Sequence, residues 1–377
     1  MTDQIPPNDD KVTLTGNMDE LETTVTVVKS PSFWKESWRR YKKRKLSMLA
    51  LLFVVFLTLV AICSPMIAGT RPIVCKYKGN IYFPCLYYFN SSWENPIFFR
   101  DDFRQRFPKN LKEKDPDSWA IWPLVYQSPI RRITEGEFGD QPGNKMHREG
   151  APSRHNWFGT DTSGVDVFAQ LVHGTRIALV VGFLSMGIAS AIGIAVGALG
   201  GYFGGWVDSL LSRLTEVVMC VPTLVLILAM LAVLDSTTIY HLMVVIGLTG
   251  WTGIARLTRA EFLKLKEMEF VSAARCLNVR NTRIIFRHIL PNSLAPILVP
   301  ISFGIASAIF TESALSFLGM GAEPPTPSWG RLLSQAKGAD ALWWLLFFPG
   351  AAIFLAVLAY NLIGEGVQAA TDPRLRD

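Results

Sequence analysis

Six long apolar runs are the feature of this sequence that most limits its fold. The first, Leu46 to Ala68, is apolar for about 23 residues, which as an α-helix can cross the roughly 30 Å hydrocarbon core of a bilayer. Five more follow, at about 177–201, 214–234, 239–256, 292–318 and 341–365. One such run can be a buried helix of a soluble protein, whereas six in one chain indicate a polytopic membrane protein. The sequence therefore predicts an all-α membrane protein with six transmembrane helices.

The composition agrees with a membrane protein and argues against nucleic-acid binding. Half of the residues are hydrophobic and only 18% are charged, where a soluble domain carries nearer a quarter. The net charge of +6 is modest, and the Lys and Arg residues flank apolar runs. We therefore expect these residues to meet membrane lipid and protein partners, and no nucleic acid.

The distribution of basic residues predicts the orientation of the chain. Lys and Arg are concentrated at 35–45, before the first run, and at 256–287, between the fourth and fifth runs, while the loop 235–238 has neither. The positive-inside rule places both basic segments in the cytoplasm, and six spans then place both termini there. The segment 70–150 is expected to face outward.

Four regions follow from this pattern. Residues 1–31 are rich in Asp, Thr, Asn and Pro and are expected to form a disordered cytoplasmic tail. Residues 32–69 hold an amphipathic segment and the first span, which we interpret as an uncleaved signal anchor. Residues 70–150 form the outward insert, and residues 151–377 form a five-helix membrane domain with cytoplasmic helices at 260–291.

The insert begins with a predicted β-hairpin between two cysteines. Gly79-Asn80 is a tight-turn dipeptide, and aromatic residues on both sides favour strands. A hairpin brings Cys75 and Cys85 towards each other in an oxidising compartment, so a disulfide is compatible with the pattern if its geometric limits are met.

Glycines recur every four residues in and just after the second run. Gly193, Gly197, Gly201 and Gly205 form a small-xxx-small stripe that lets another helix approach closely. The stripe is compatible with packing inside this chain, which we favour, or with an interface to a partner subunit.

Three single residues are candidates for more than packing. Glu312 lies inside the fifth run, and a carboxylate there suits a structural or a gating role equally. Asp161 precedes a short amphipathic run, and we expect it to cap a helix rather than to bind a ligand. His288 has no carboxylate close in sequence, so we expect a packed or capping residue and not a proton carrier.

Sequence signatures of catalysis and of metal binding are missing. There is no GxxxxGK[ST], GxSxG or HExxH motif, and the five cysteines show no CxxC spacing. We expect no enzyme active site, metal or cofactor on this chain, so any energy from ATP must come from another chain.

The segment 269–291 predicts a pair of short helices. Phe270, Ala273, Ala274 and Leu277 recur at helical spacing on one face. Asn278 tolerates the left-handed conformation that ends helices. Asn281 is expected to cap a second helix, 282–290, which Pro291 then separates from the fifth span. Such a pair suits contact with anionic lipid or docking of a cytosolic partner.

This segment resembles the coupling motif of permeases in binding-protein-dependent ABC importers. The family pattern is Glu-Ala-Ala, three residues, Gly, nine residues and an apolar-Pro end, and it aligns with Ser272-Ala273-Ala274, Asn278 and His288-Ile-Leu-Pro291. Ser272 replaces the usual Glu and Asn278 the usual Gly. The resemblance implies that this stretch, including Arg275, couples to an ATPase, with Ala273 and Ala274 in its cleft.

Four other stretches resemble the dipeptide/oligopeptide permease C type of that family. They are 32–40, 156–167, 314–330 and 372–376, and the aromatic insert is similar to that of microcin C-type oligopeptide importers. The resemblance implies a peptide permease of the bacterial inner membrane that pairs with a homologous permease, two cytosolic ATPases holding ATP and Mg, and a periplasmic peptide-binding protein. The alternative is an ion-coupled secondary transporter, for which we find no internal repeat.

Overall fold

The protein is described from a computed structural model. The structure describes residues 11–13, 26–28, 33–90, 115–131, 150–154, 156–234, 236–321, 323, 326–338 and 342–371. The terminal motif at 372–376 and most of the tail lie outside these residues. Within the tail, β1 (Lys11–Thr13) pairs antiparallel with β2 (Thr26–Val28), which differs from the disorder expected there.

Helices dominate the described residues. They are α1 (Phe33–Lys43), α2 (Lys45–Ile67), α3 (Val167–Phe203), α4 (Gly205–Cys220), α5 (Thr223–Ala232), α6 (Ile239–Gly250), α7 (Thr252–Leu265), α8 (Glu269–Cys276), α9 (Leu290–Phe317), α10 (Trp329–Gln335) and α11 (Trp343–Thr371). By length and composition, four helices in the described chain can cross a membrane: α2, α3, 281–317 and α11. A fifth is added if α4 and α5 are counted together.

The third predicted span is not one straight helix. α4 and α5 meet at an angle of 84° across Val221 and Pro222. Val221 is extended because the ring of a following proline disfavours the helical conformation, and Pro222 cannot donate a backbone hydrogen bond. The uninterrupted helix expected at 214–234 is therefore wrong at this point.

The fourth predicted span is divided at Trp251. α6 has 12 residues, which is too short to cross a bilayer by itself, and α7 continues after a single residue. Thr238 and His241 form a reciprocal capping box at the start of α6. The count of six spans thus remains a prediction.

α3 is the central helix, and it packs against α2, α6, α7 and α9. The glycine stripe makes the contact with α7. A Cβ atom at Gly193 would lie 2.8 Å from the Cβ of Ile254, and one at Gly201 would lie 2.7 Å from the Cβ of Phe262. Three of the four stripe glycines thus serve packing inside this chain, as favoured from the sequence; Gly205 has open space around it.

The first part of the insert is a small sheet that packs against the end of α2. Strands β3 (Val74–Tyr77), β4 (Asn80–Tyr82) and β5 (Trp119–Ile121) pair antiparallel in the order β4-β3-β5, which confirms the hairpin. Cys75 faces Tyr82 across the ladder, and Cys85 lies beyond it in the 3₁₀ turn Pro84–Tyr88. Both cysteines are buried free thiols, and the Cys85 Sγ donates to the carbonyl oxygen of Ile73 over 3.4 Å.

Candidate functional site

α8 has an apolar surface of which the described residues of this chain cover only half. Val271 is fully buried and Ala274 is 6% exposed, and both face the chain. Phe270 and Leu277, on the neighbouring stripe, are 37% and 79% exposed, and Ala273 between them is exposed too. A short helix thus presents an uncovered apolar stripe at the end of α3 that lies away from the insert.

The turn after α8 has the predicted left-handed residue. Asn278 has φ 54°, and its backbone N–H donates to the carbonyl oxygen of Arg275 over 2.9 Å. Val279 then donates to Ala274 over 3.1 Å, so the last carbonyls of the helix are satisfied. The prediction of Asn278 as the residue that ends the helix is confirmed.

The second helix of the pair runs without a break into the fifth span. It begins at Asn281 with Arg280 as its N-cap residue, so the expected capping by Asn281 is wrong. A π-helical segment, Ile284–Ile289, leads into α9, and Pro291 lies in the first turn of α9. The wider π turn accommodates a proline that lacks an N–H and would crowd the preceding turn. The separation expected at Pro291 is therefore wrong.

Tyr202, near the end of α3, holds this helix pair in place. Its ring is 7% exposed and packs with Val271, Ala274 and the isoleucines of the π segment. The Tyr202 Oη donates to the Oδ1 of Asn281 over 2.7 Å, and the Arg275 guanidinium lies 5.7 Å from the ring centroid. Sequence reasoning missed this residue, since its only signal was a tyrosine at the end of an apolar run.

Known proteins that resemble this chain were found by sequence and by structure. The dipeptide transport system permease protein DppC of Alkalihalophilus pseudofirmus is 39% identical over 65% of this chain and 80% of its own length. One chain of a solved inward-facing MetNI methionine ABC transporter aligns with a TM-score of 0.41 and 17% identity, over 53% of this chain and 97% of its own length.

Two family matches and one nearly full-length relative decide the family. Residues 191–377 match the binding-protein-dependent transport system inner membrane component, and residues 32–80 match the N-terminal TM domain of oligopeptide transport permease C. The inner membrane ABC transporter permease protein YejE of Escherichia coli K12 is 34% identical over 89% of this chain and 96% of its own length. This chain belongs to the family of binding-protein-dependent transport system inner membrane components.

The permease is therefore a multi-pass inner-membrane protein of the ABC importer class, and the ion-coupled alternative is not supported. Of the predicted coupling residues, Ser272, Ala273 and Arg275 lie on the surface of α8, and Ala274 is enclosed. The side chain of His288 is half-buried, and its carbonyl oxygen accepts a 2.7 Å hydrogen bond from the Nδ2 of Asn292.

Glu312 of the permease lies far from this helix pair, near the other end of α9. It is 1% exposed, and its Oε1 accepts hydrogen bonds from Ser316 and Ser328, each over 2.7 Å. Ser328 directly precedes α10, so the carboxylate ties the end of the span to the next helix. These contacts favour the structural role over the gating role.

Asp161 and Asp166 organise the loop before α3. The Oδ1 of Asp166 accepts from the backbone N–H of Ala169 over 2.7 Å, so Asp166 is the N-cap residue of α3. Asp161 instead accepts from the backbone N–H groups of Ser163 and Val165, so the capping role expected of it is wrong. Burial raises the pKa of Asp166 to about 6, although hydrogen bonds from Ala169 and Asn156 oppose the shift.

Proposed function

We propose that this permease is one half of the translocation pathway of an ATP-driven peptide importer, and that α8 docks it onto a cytosolic ATPase. The observation that carries the docking assignment is the uncovered stripe of Phe270, Ala273 and Leu277. An apolar face exposed on a monomer marks a partner site when it is contiguous. These residues recur at i, i+3 and i+7, beside the stripe that Val271 and Ala274 bury in the chain.

The small side chain of Ala273 at the centre of the stripe lets a partner approach the helix closely. We expect Ala273→Trp to overfill that contact, at a cost of about 1–3 kcal/mol. Because Ala273 is exposed, the fold of the permease is expected to persist. Ala273→Ser changes the size of the side chain little and is the matched control.

The experiment compares both variants in purified transporter for ATPase association and for substrate-stimulated ATP hydrolysis. Ala273→Trp is expected to lose association, and Ala273→Ser to keep it. Normal association and stimulation in Ala273→Trp would contradict the docking assignment. Ala274→Trp is unsuitable for this test. Ala274 is only 6% exposed, so a tryptophan there would clash inside the permease itself.

Ser272 stands where relatives of this type are expected to carry a carboxylate. It is exposed on α8, so Ser272→Glu can be accommodated without repacking. If the ATPase presents a basic side chain there, this substitution is expected to leave coupling unchanged or to raise it. A loss of ATPase association would contradict a basic partner.

The assembly that we propose contains a homologous permease, two ATPases holding ATP and Mg, and a periplasmic peptide-binding protein. A cavity of about 770 Å³ between α3, α4 and α7 supports a pathway on this side of the subunit. Its walls carry two arginines, Arg256 and Arg259, and the carboxylate of Glu216. Arg259 is paired with Asp208 and Glu216 with Arg213, so among these lining residues the exposed Arg256 is the cation that suits the carboxylate end of a peptide.

The peptide substrate is supported by the names of the relatives and by the oligopeptide permease match at residues 32–80. We expect uptake of labelled di- and oligopeptides by cells with the complete transporter to stop on ATP depletion. Uptake that persists without ATP and stops when ion gradients are collapsed would contradict the assignment. Membership of the permease in a microcin C-type subgroup stays a prediction, and the same uptake assay tests it.

We also propose six spans, with both termini in the cytoplasm and the segment 70–150 in the periplasm. The basic segments at 35–45, before α2, and at 256–287, which include α8, support this orientation. A cysteine placed at the exposed Asn80 is expected to react with an impermeant maleimide in intact cells, and the exposed Cys276 is not. The reverse pattern would contradict the topology.

A further inference from the structure

An apolar groove with a cation at its rim lies between α2 and α3. Its volume is about 530 Å³, and its α2 wall is formed by Thr58, Ala61 and Ile62. The α3 wall is formed by Leu179, Val180, Phe183 and Leu184, with Arg176 and Phe89 at one end. The hydroxyl of Thr58 is already bonded to the carbonyl oxygen of Val54 over 2.8 Å. Among the described residues, Arg176 is the one charged side chain in the lining.

The cation at the rim is held by a rigid piece of the insert. The Nη1 of Arg176 donates to the carbonyl oxygen of Tyr88 over 3.1 Å, and the guanidinium lies 4.6 Å from the ring centroid of Phe89. Tyr88 is itself fixed, because its hydroxyl accepts from the backbone N–H of Thr70 and its ring packs 5.1 Å from that of His173. The remaining guanidinium N–H groups are therefore presented at a fixed place above apolar walls.

The position of the groove matches one leaflet of a bilayer. Arg176 directly precedes the apolar run of α3, so it lies at the level where charged groups meet lipid headgroups. From Arg176 to Leu184 the helix rises about 12 Å, which is close to half of a roughly 30 Å hydrocarbon core. Ile62, Val180 and Phe183 are exposed at 60%, 41% and 53%, so the groove opens to the surroundings of the spans.

We propose that this groove binds one phospholipid, with its phosphate on Arg176 and an acyl chain along the walls. Guanidinium groups bind phosphate through paired, charge-assisted hydrogen bonds, and apolar walls of this depth accept a hydrocarbon chain. With the topology proposed above, the lipid belongs to the outer leaflet. The bound lipid links the turn of the insert that carries Tyr88 and Phe89 to the helices α2 and α3.

The test counts phospholipid retained by the assembled transporter after detergent washing, by native mass spectrometry. Arg176→Gln removes the cation and keeps the walls, and Val180→Trp fills the groove and keeps the cation. The controls are Arg71→Gln, an arginine that stacks on Tyr87 outside the groove, and Val55→Trp, at an exposed position on α2 outside it. We expect both groove variants to lower retention about tenfold, as loss of a charge-assisted bond or of the cavity would, and both controls to match wild type.

Two results would overturn the proposal. Unchanged retention in Arg176→Gln together with loss in Val180→Trp would show a hydrocarbon chain without a phosphate contact. Retention by the isolated permease but not by the assembled transporter would show that the partner permease fills the groove. Each variant is first checked for normal thermal unfolding, and an unfolded Val180→Trp would be replaced by Val180→Phe.

Discussion

The Oη of Tyr202 and the Oδ1 of Asn281 lie 2.7 Å apart, and this hydrogen bond joins the end of α3 to the helix that follows α8. Tyr202 also lies under the guanidinium of Arg275 on α8. One side chain of a span therefore contacts both helices that we assign to the ATPase interface. This places Tyr202 where movement of the helix pair can pass to the membrane domain.

Tyr202→Phe is expected to weaken coupling without unfolding the permease. It removes a hydrogen bond worth about 0.5–1.5 kcal/mol and keeps the packed ring. The measurement is the amount of peptide transported per ATP hydrolysed in reconstituted transporter. Tyr240→Phe, at a tyrosine that is 68% exposed, is the control. Equal ratios in all three proteins would show that the bond has no part in coupling.

Gly197→Ala is expected to destabilise the permease by about 1–3 kcal/mol, as overpacking does. The added Cβ would overlap the carbonyl oxygen of Ala255 and lie 2.7 Å from the Cβ of Thr258, so α3 and α7 must separate. Gly187→Ala on the same helix has nothing within 4 Å and is expected to be neutral or stabilising by up to about 1 kcal/mol. Thermal unfolding in detergent distinguishes the two, and equal melting temperatures would contradict the close packing.

Asn278→Gly is expected to be tolerated, whereas Asn278→Val is not. The residue has φ 54°, which glycine adopts freely and which costs a β-branched residue about 1–2 kcal/mol or more. Since Asn278 is exposed, a change in packing does not confuse the comparison. ATPase association is the readout, and normal association of the Val variant would show that the turn can relax.

Cys75 and Cys85 are expected to resist alkylation in the reduced, folded permease. Burial raises the pKa of the Cys75 thiol to about 11 and also raises that of Cys85, so little of the reactive thiolate is present near pH 7. The exposed Cys276 is expected to react first, and the Cys75 rate to rise about tenfold per pH unit below pH 11. Mass mapping under non-reducing conditions that found the two residues joined would contradict free thiols.

Asp166 is expected to make the folded permease more stable as the pH falls from 7 towards 4. Its pKa is raised from 3.8 to about 6 by burial, so the folded state binds a proton more readily than the unfolded state. The stabilisation is complete below pH 3.8, is lost as the pH rises through about 6, and amounts to at most about 3 kcal/mol. Asp161 is the neighbouring charge that adds to the shift. Thermal unfolding of wild type and Asp166→Asn at pH 5 and 7.5 measures the effect. If the melting temperatures of both proteins change equally between the two pH values, Asp166 is not the source of the effect.

The residues alone identified the membrane class, the short helix α8 and the turn at Asn278. These features depend on local physics: the length of an apolar run decides whether a helix can cross a bilayer, and the backbone preference of one residue decides where a helix ends. The glycine stripe likewise indicated close packing of a helix. It left open which helix lies against it.

Only the tertiary structure decided which surfaces are covered. Ala273 and Ala274 are adjacent and identical in sequence, yet one is exposed and the other packs against the end of α3 and the π segment. Gly197 packs against α7, whereas a Cβ atom at Gly205 would have no atom within 4 Å, although both glycines belong to the same repeat. Asp166 takes the capping role expected of Asp161, because the loop folds back on itself before α3 begins. Burial and partner choice depend on residues far apart in the chain, so a local pattern predicts a face of a helix and not the neighbour that fills it.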